Sequence, residues 1–171
     1  MRTGLDSATV SPVAALDGDP DLKVLNGEAR PFSEWLTTFP MVLAAIDPFT
    51  HESSWLLSSI HRIFHHYRDA GVRVAWLVTG PDDGVTKFLG TYSDDFLTFV
   101  DPNYAAVKAL GLSTLPAFVL IKQDGSVAAA AEGWNPAEWH AVSEAIETIT
   151  SWTPITIPGP NDPSPYAGTS I

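Results

Sequence analysis

Apolar residues return along this chain in rhythms that change with position. At 41–46, "MVLAAI" is an unbroken apolar run, the pattern of a strand covered on both faces. From Ser53 to Ala70, "SSWLLSSIHRIFHHYRDA" switches to helical spacing. Leu56, Ile60, Ile63 and Tyr67 form a stripe there, widened by Leu57 and Phe64, and Gly71 stops it. "VRVAWLV" (72–78), "FLTFV" (96–100) and "PAFVLIK" (116–122) are rich in β-branched and aromatic residues and predict further strands. "QDG" is a hairpin turn, and "SVAAAAEGW" (126–134) returns from it. In the last helix Asn135 is the cap, Pro136 takes the first position, and Trp139, Val142, Ile146 and Ile149 mark the buried stripe.

The remaining segments follow from turn and cap signals. "LKVLNGEARPFSEWL" predicts a short strand, a turn at Asn26-Gly27 and a short helix capped by Ser33. Asp47-Pro48 ends the first core strand, "TGPDDG" is a loop, and "VTKFLGTY" and "PNYAAVKAL" predict short helices, the latter closed by Gly111. Strands alternating with helices imply a parallel βαβ unit, to which the hairpin adds antiparallel strands. The expected fold is α/β, with a central mixed β-sheet flanked by helices on both sides. Residues 1–20 lack periodicity and predict an extended or mobile arm, leaving 21–152 as the domain. The tail 153–171 has prolines at 154, 158, 160, 163 and 165, which rule out a continuous helix or a central strand. It is either disordered or a strap docked on a partner or on its own domain, with Ile155, Ile157 and Tyr166 as anchors.

Composition narrows the partners. The 171 residues are 45% hydrophobic, enough for a real core, and carry 20 acidic against 9 basic residues, a formal charge of −11. Such a surface repels polyanions, which argues against nucleic acids and anionic membranes. No Lys or Arg follows Lys122, so a basic protein partner is compatible with the acidic C-terminal part. There is no cysteine, which removes thiolate nucleophiles, disulfides and Cys-ligated metals together. The N-terminal stretch lacks the apolar core of a signal peptide, and no apolar run approaches the length of a membrane span. The cytoplasm is the expected compartment.

With these elements in order, residues 21–150 resemble the thioredoxin superfamily, in particular its TlpA-like and peroxiredoxin-like branch. The resemblance rests on "LKVLNGEARPFSEWL" before the first core strand, "FTHES" at the start of the long helix, and "VDPNYAAVKALGL". "STLPAFVLI", "KQDGSV" and "EGWNPAEW" follow in the family's order. It implies that Phe49 replaces the Trp of the redox motif, Thr50 the nucleophilic cysteine and Ser53 the resolving one, with His51 and Glu52 between them. Pro116 then matches the family's proline, usually cis. Both sulfurs are missing, and thiol–disulfide exchange needs a thiolate.

Other chemistries compete with simpler structural explanations. Thr50 with His51 as base would place nucleophile and base on successive helical residues, which do not face one another, so capping by Thr50 or Ser53 is the simpler reading. Glu52 suits the positive first turn. His61 and His65 have a zinc-compatible spacing but no evident third ligand, and with Arg68 they read as a solvated face. His140 reads as a surface residue, and Asp82-Asp83 and Asp94-Asp95 as solvated loop acids. No metal or cofactor is expected.

The sequence thus predicts a redox-inactive, non-enzymatic thioredoxin-like protein that binds other proteins as an assembly or maturation factor. An extended peptide would pair with the backbone of Leu115 beside Pro116, with Phe49 and Trp134 as apolar contacts. "GWNPAEW" is similar to the cysteine-free, thioredoxin-like chaperones of hydrogenase maturation, which implies a metalloenzyme subunit as partner. Alternatives are a degenerate peroxiredoxin- or transferase-like enzyme using Thr50 or His51, and an accessory subunit of a larger complex. A homodimer is compatible with the sequence.

Overall fold

The apolar run at 41–46 organises the molecule. In the computed structural model, which describes residues 15–171, the strand β3 (Met41–Ile46) has all six residues buried. It pairs in parallel with β4 (Arg73–Val78) and antiparallel with β7 (Ala117–Ile121). β5 (Leu97–Val100) extends the sheet beside β4, and β8 (Val127–Glu132) beside β7. A hairpin of β1 (Asp21–Val24) and β2 (Ala29–Pro31) completes the order β2-β1-β5-β4-β3-β7-β8.

Side chains alternate across a strand, so β3 feeds two separate cores. Val42, Ala44 and Ile46 pack under α2 (Leu57–Tyr67) and α6 (Pro136–Thr150), whose Ile60, Phe64, Trp139 and Val142 belong to the same cluster. Met41, Leu43 and Ala45 face the other way, against Phe32 and Leu36 of a short 3₁₀ helix (Phe32–Leu36) and Val107 of α5 (Ala105–Ala109). The mixed α/β sheet covered on both faces matches the expected fold class.

Several boundaries moved, each for a local reason. The long helix divides into α1 (His51–Trp55) and α2, because the ladder tightens at Leu56, whose N–H reaches Ser53 O at 3.2 Å. The supposed 82–84 loop is the first turn of α3 (Asp82–Leu89), where two carboxylates suit the positive helix end. The second acid pair closes α4 (Tyr92–Asp95). Neither pair is merely solvated. Asp82 holds Lys23 at 2.9 Å, which keeps its carboxyl below the usual range, and Asp95 holds His61 at 2.9 Å. Ser33 does not cap its helix; its hydroxyl donates to Asp19 at 2.6 Å instead. Ile149 is exposed in the last turn of α6, before the chain reverses at Ser151 (φ 56°), and Ser143 is buried within the helix stripe. Asn135 caps α6 by accepting from Ala137 N at 3.1 Å.

Of the arm at 1–20, residues 1–14 lie outside the described part. Its remainder lies along the domain, with Leu16 N bonded to Gly125 O and Asp17 N to Ala109 O, both at 2.9 Å. The tail 153–171 wraps the first core. Ile155 and Ile157 are buried in it, burial that stabilises by about 1.5–3 kcal/mol each when complete. Polar ties hold the strap between them. Trp152 Nε1 donates to His66 O, Ile155 N to Glu147, and Arg62 to Thr156 O, at 2.8, 3.0 and 2.9 Å. Glu147 also accepts from the Tyr67 hydroxyl, whose ionisation burial pushes far above its ordinary range.

The strongest fastening is Asp162. Its carboxylate accepts from Ser59 Oγ (2.6 Å), Arg62 (2.9 Å) and Gly159 N (2.7 Å), and its side chain is 4% exposed. Hydrogen bonds to a charged group are each worth about 1.5–3 kcal/mol. Asp162→Ala should therefore lower stability by about 2 kcal/mol in urea unfolding; an unchanged midpoint would show that tail docking adds nothing to the fold.

Candidate functional site

β3 ends at Asp47, whose carboxylate accepts from Phe49 N at 2.9 Å and turns the chain out of the sheet. This turn leaves Phe49 70% exposed at the lip of the domain and starts α1 at His51. Thr50 is the N-terminal flanking residue of α1, yet neither it nor Ser53 caps the helix with its side chain. The two hydroxyls bond to each other instead, Thr50 Oγ1 to Ser53 Oγ at 2.6 Å. The capping expectation is thus corrected: the Thr50 side chain points at the Ser53 hydroxyl and not at the free N–H groups of the first turn. Ser53 is buried, whereas His51 and Glu52 are exposed.

His51 does not approach Thr50 as a base. Its ring packs edge-on against Trp55 with centroids 5.4 Å apart, and Trp55 is itself 51% exposed. Phe49 and Trp55 therefore present exposed aromatic surface on and just before α1. Among the described residues, no group of three or more His, Asp or Glu side chains is arranged to hold a metal ion. His61 and His65 stack on one another at 6.5 Å, and His61 also meets Tyr92 and Phe96, so this face is not simply solvated.

Facing α1 across a cavity of about 170 Å³ lies the Leu115–Pro116 bond, which is cis. Thr50, Glu52, Leu115 and Pro116 line one part of the cavity, and Tyr166 to Thr169 line the rest. The loop before Pro116 is held by a residue the sequence did not single out. Glu132 Oε1 accepts from Ser113 N, Thr114 N and Ser113 Oγ at 2.7, 2.9 and 3.1 Å. On the other side, Gly133 N donates to Pro116 O at 2.7 Å.

The edge formed by β6 (Thr114–Leu115) is occupied by the chain itself. The tail's β9 (Thr169–Ser170) pairs with it antiparallel, placing Leu115 opposite Thr169 and Thr114 opposite Ser170. Ile171 N reaches Ser113 O at 3.0 Å. Tyr166 delivers the tail to this point: its backbone pairs with Trp134, and its hydroxyl donates to Glu52 O at 3.2 Å. Burial first, and then the nearby Glu52 carboxylate, push the phenol up to about 12, so it remains a donor at neutral pH.

Trp134 is a correction to the predicted groove. It is fully buried, packed edge-on against Trp139 at 5.0 Å, and its indole N–H donates to Pro163 O at 2.8 Å. It anchors the tail and offers no apolar surface to a ligand. Leu115 and Pro116 line the cavity, whereas Phe49 is exposed beside Gly80 and is not part of its lining. Trp55 is an exposed aromatic that the sequence reading missed. Its position off the apolar stripe of the long helix was the available signal.

A family model described as Redoxin matches residues 58–149. No curated protein matches the chain. Among solved structures, a protein assigned as the thiol:disulfide interchange protein DsbE of Chlorobium tepidum is 18% identical, with a TM-score of 0.66 over 82% of this chain and 98% of that one. A protein assigned as a thioredoxin from Neisseria meningitidis is also 18% identical, with a TM-score of 0.64 over 79% and 89%. The peroxidoxin BcpB of Mycobacterium tuberculosis is 17% identical, with a TM-score of 0.63 over 82% and 97%. At these identities the likeness is one of fold.

The 2.6 Å hydroxyl contact makes a direct prediction about how these two positions are disposed. Cysteines at these positions would have sulfurs within reach of a bond of about 2.05 Å. In the double variant Thr50→Cys/Ser53→Cys, mild oxidation should remove both titratable thiols while leaving a monomer on a non-reducing gel. Persistence of both thiols would mean that the two positions are not disposed as a redox pair.

Proposed function

We propose that the chain, which belongs to the Redoxin family, works as a thiol-free protein-binding factor that takes an extended polypeptide segment along Ser113–Leu115, beside cis-Pro116. Thiol–disulfide exchange needs a thiolate to attack sulfur. Here the two motif positions are hydroxyls bonded to each other, and the sequence contains no cysteine. A threonine hydroxyl does not perform that attack near neutral pH, and no hydrogen bond from His51 activates it. What the scaffold retains is the loop at the cis proline, braced by Glu132, and the opening onto the start of α1.

The observation that carries this reading is the pairing of Thr169–Ser170 with Thr114–Leu115. It supports the edge as one that accepts strand addition, in which main-chain hydrogen bonds give affinity and neighbouring side chains give selectivity. Phe49 and Trp55, exposed just before and at the end of α1, supply aromatic surface, the residue type that dominates binding energy in protein interfaces. The charge of −11 favours a partner with a basic surface. An assembly or maturation role, with the client held while it is completed or passed on, fits such capture without turnover.

The test couples two measurements. A partner recovered with the wild-type chain from its native cells should be lost at least ten-fold with Phe49→Asp, a change at an exposed position that leaves the fold intact. The purified wild-type chain should reduce neither insulin nor peroxide in the presence of a dithiol. Dithiol-dependent turnover above background, or undiminished capture by Phe49→Asp, would overturn the proposal.

A further inference from the structure

The tail is fastened unevenly. Residues 152–163 are tied down by buried Ile155 and Ile157, by the Asp162 carboxylate and by the Trp134–Pro163 hydrogen bond. Beyond Tyr166 the anchoring thins. Residues 167–171 are all exposed and are held by the two-residue strand pairing and the Ile171–Ser113 hydrogen bond. A firmly held strap thus delivers a lightly held tip to the edge where a peptide would pair.

The seat of that tip has a steric rule. Gly168 has φ 87°, and a Cβ built on it would collide with the Leu115 carbonyl oxygen. One step earlier the tail's backbone passes so close to Gly133 (φ 76°) that a Cβ there would lie 2.6 Å from Ala167 O. Backbone lies against backbone at both points, in a conformation that side chains rarely adopt. Next along the tail come Thr169 and Ser170, opposite Leu115 and Thr114.

We propose that residues 167–171 are a built-in, displaceable occupant of the peptide edge. The ligand that replaces them is an extended segment with glycine at the Leu115 carbonyl, followed by a β-branched residue. This rests on the reading of Ser113–Leu115 as a peptide-binding edge. Tethering places the tip at an effective concentration in the millimolar range for a short flexible connection, so an incoming segment competes against its own mimic. The tip then acts as an affinity threshold: weak or glycine-free segments leave it in place, and the matching segment displaces it. The short pairing and full exposure are what such exchange requires, whereas the deep anchors upstream keep the strap on the domain when the tip is out.

The probe is a fluorescent peptide with the sequence of residues 166–171, titrated into three chains: the wild type, full-length Gly168→Ala, and a chain shortened to end at Pro165. Both altered chains should bind it at least ten-fold more tightly than the wild type. A peptide whose glycine is replaced by alanine should bind them at least ten-fold more weakly than the parent peptide. Gly168→Ala keeps the whole strap, so it decides the matter if the shortened chain is unstable. Equal binding by all three chains would overturn the tip as an occupant while leaving the edge as a peptide site. Equal affinity for the glycine and alanine peptides would overturn the steric rule. If none of the chains binds and the Ile171 amide of the wild type is protected from hydrogen exchange, the tip is a fixed part of the fold. In that case the peptide-edge reading falls with the present proposal.

Discussion

Everything at the site hangs from the burial of Met41–Ile46. Six consecutive residues without solvent contact, bonded on both edges, can only lie at the centre of a sheet with cover on each face. Their alternation assigns Val42, Ala44 and Ile46 to one core and Met41, Leu43 and Ala45 to the other. A shift of one residue would exchange the two sets, so the register is fixed by packing on both sides. Because β3 and β4 run in parallel, the turn after β3 and the start of α1 come out at one end of the sheet. Antiparallel β7 starts at that same end, immediately after Pro116. The meeting of Thr50 and Pro116 across one cavity is therefore a consequence of strand direction.

Thr50 and Ser53, where the family resemblance places two cysteines, hold two hydroxyls at bonding distance. Thr50, the extended residue just before α1, directs its hydroxyl at Ser53 in the first turn, 2.6 Å away. With hydroxyls at both positions the pair makes one hydrogen bond, and the Thr50 side chain accepts none from the first-turn N–H groups. Phe49 and Trp55 flank this pair in sequence and present exposed rings just before and at the end of α1.

The tail adds a second layer to this economy of parts. Its prolines keep it from joining a helix or the main sheet, yet the same segment buries two isoleucines and places a carboxylate against Arg62 and Ser59. Trp134 is the hinge between tail and domain. Its ring is committed to the core and its backbone to Tyr166, which is why a residue that looked like groove surface became an anchor.

Much was legible in the chain itself. The unbroken run of β3, the helical stripe of α2, the Asn135-Pro136 start of α6 and the order of the elements each follow from a local rule of side-chain spacing or capping. Local rules also mark where they stop: Ile149 fits the apolar stripe of α6 by spacing, but in the last turn it is left 44% exposed. What sequence could not give was any fact that depends on two distant segments meeting. That Glu132 braces Ser113, that Asp82 and Asp95 take Lys23 and His61, and that Trp134 is spent on Pro163 are all contacts between residues remote in sequence. The sequence by itself determined the main strands and helices and the absence of cysteine, because spacing and composition are properties of a single segment. Only the tertiary structure decided that the proline-rich tail lies across its own domain and fills the edge at Leu115, because that choice depends on two surfaces fitting once both have been built.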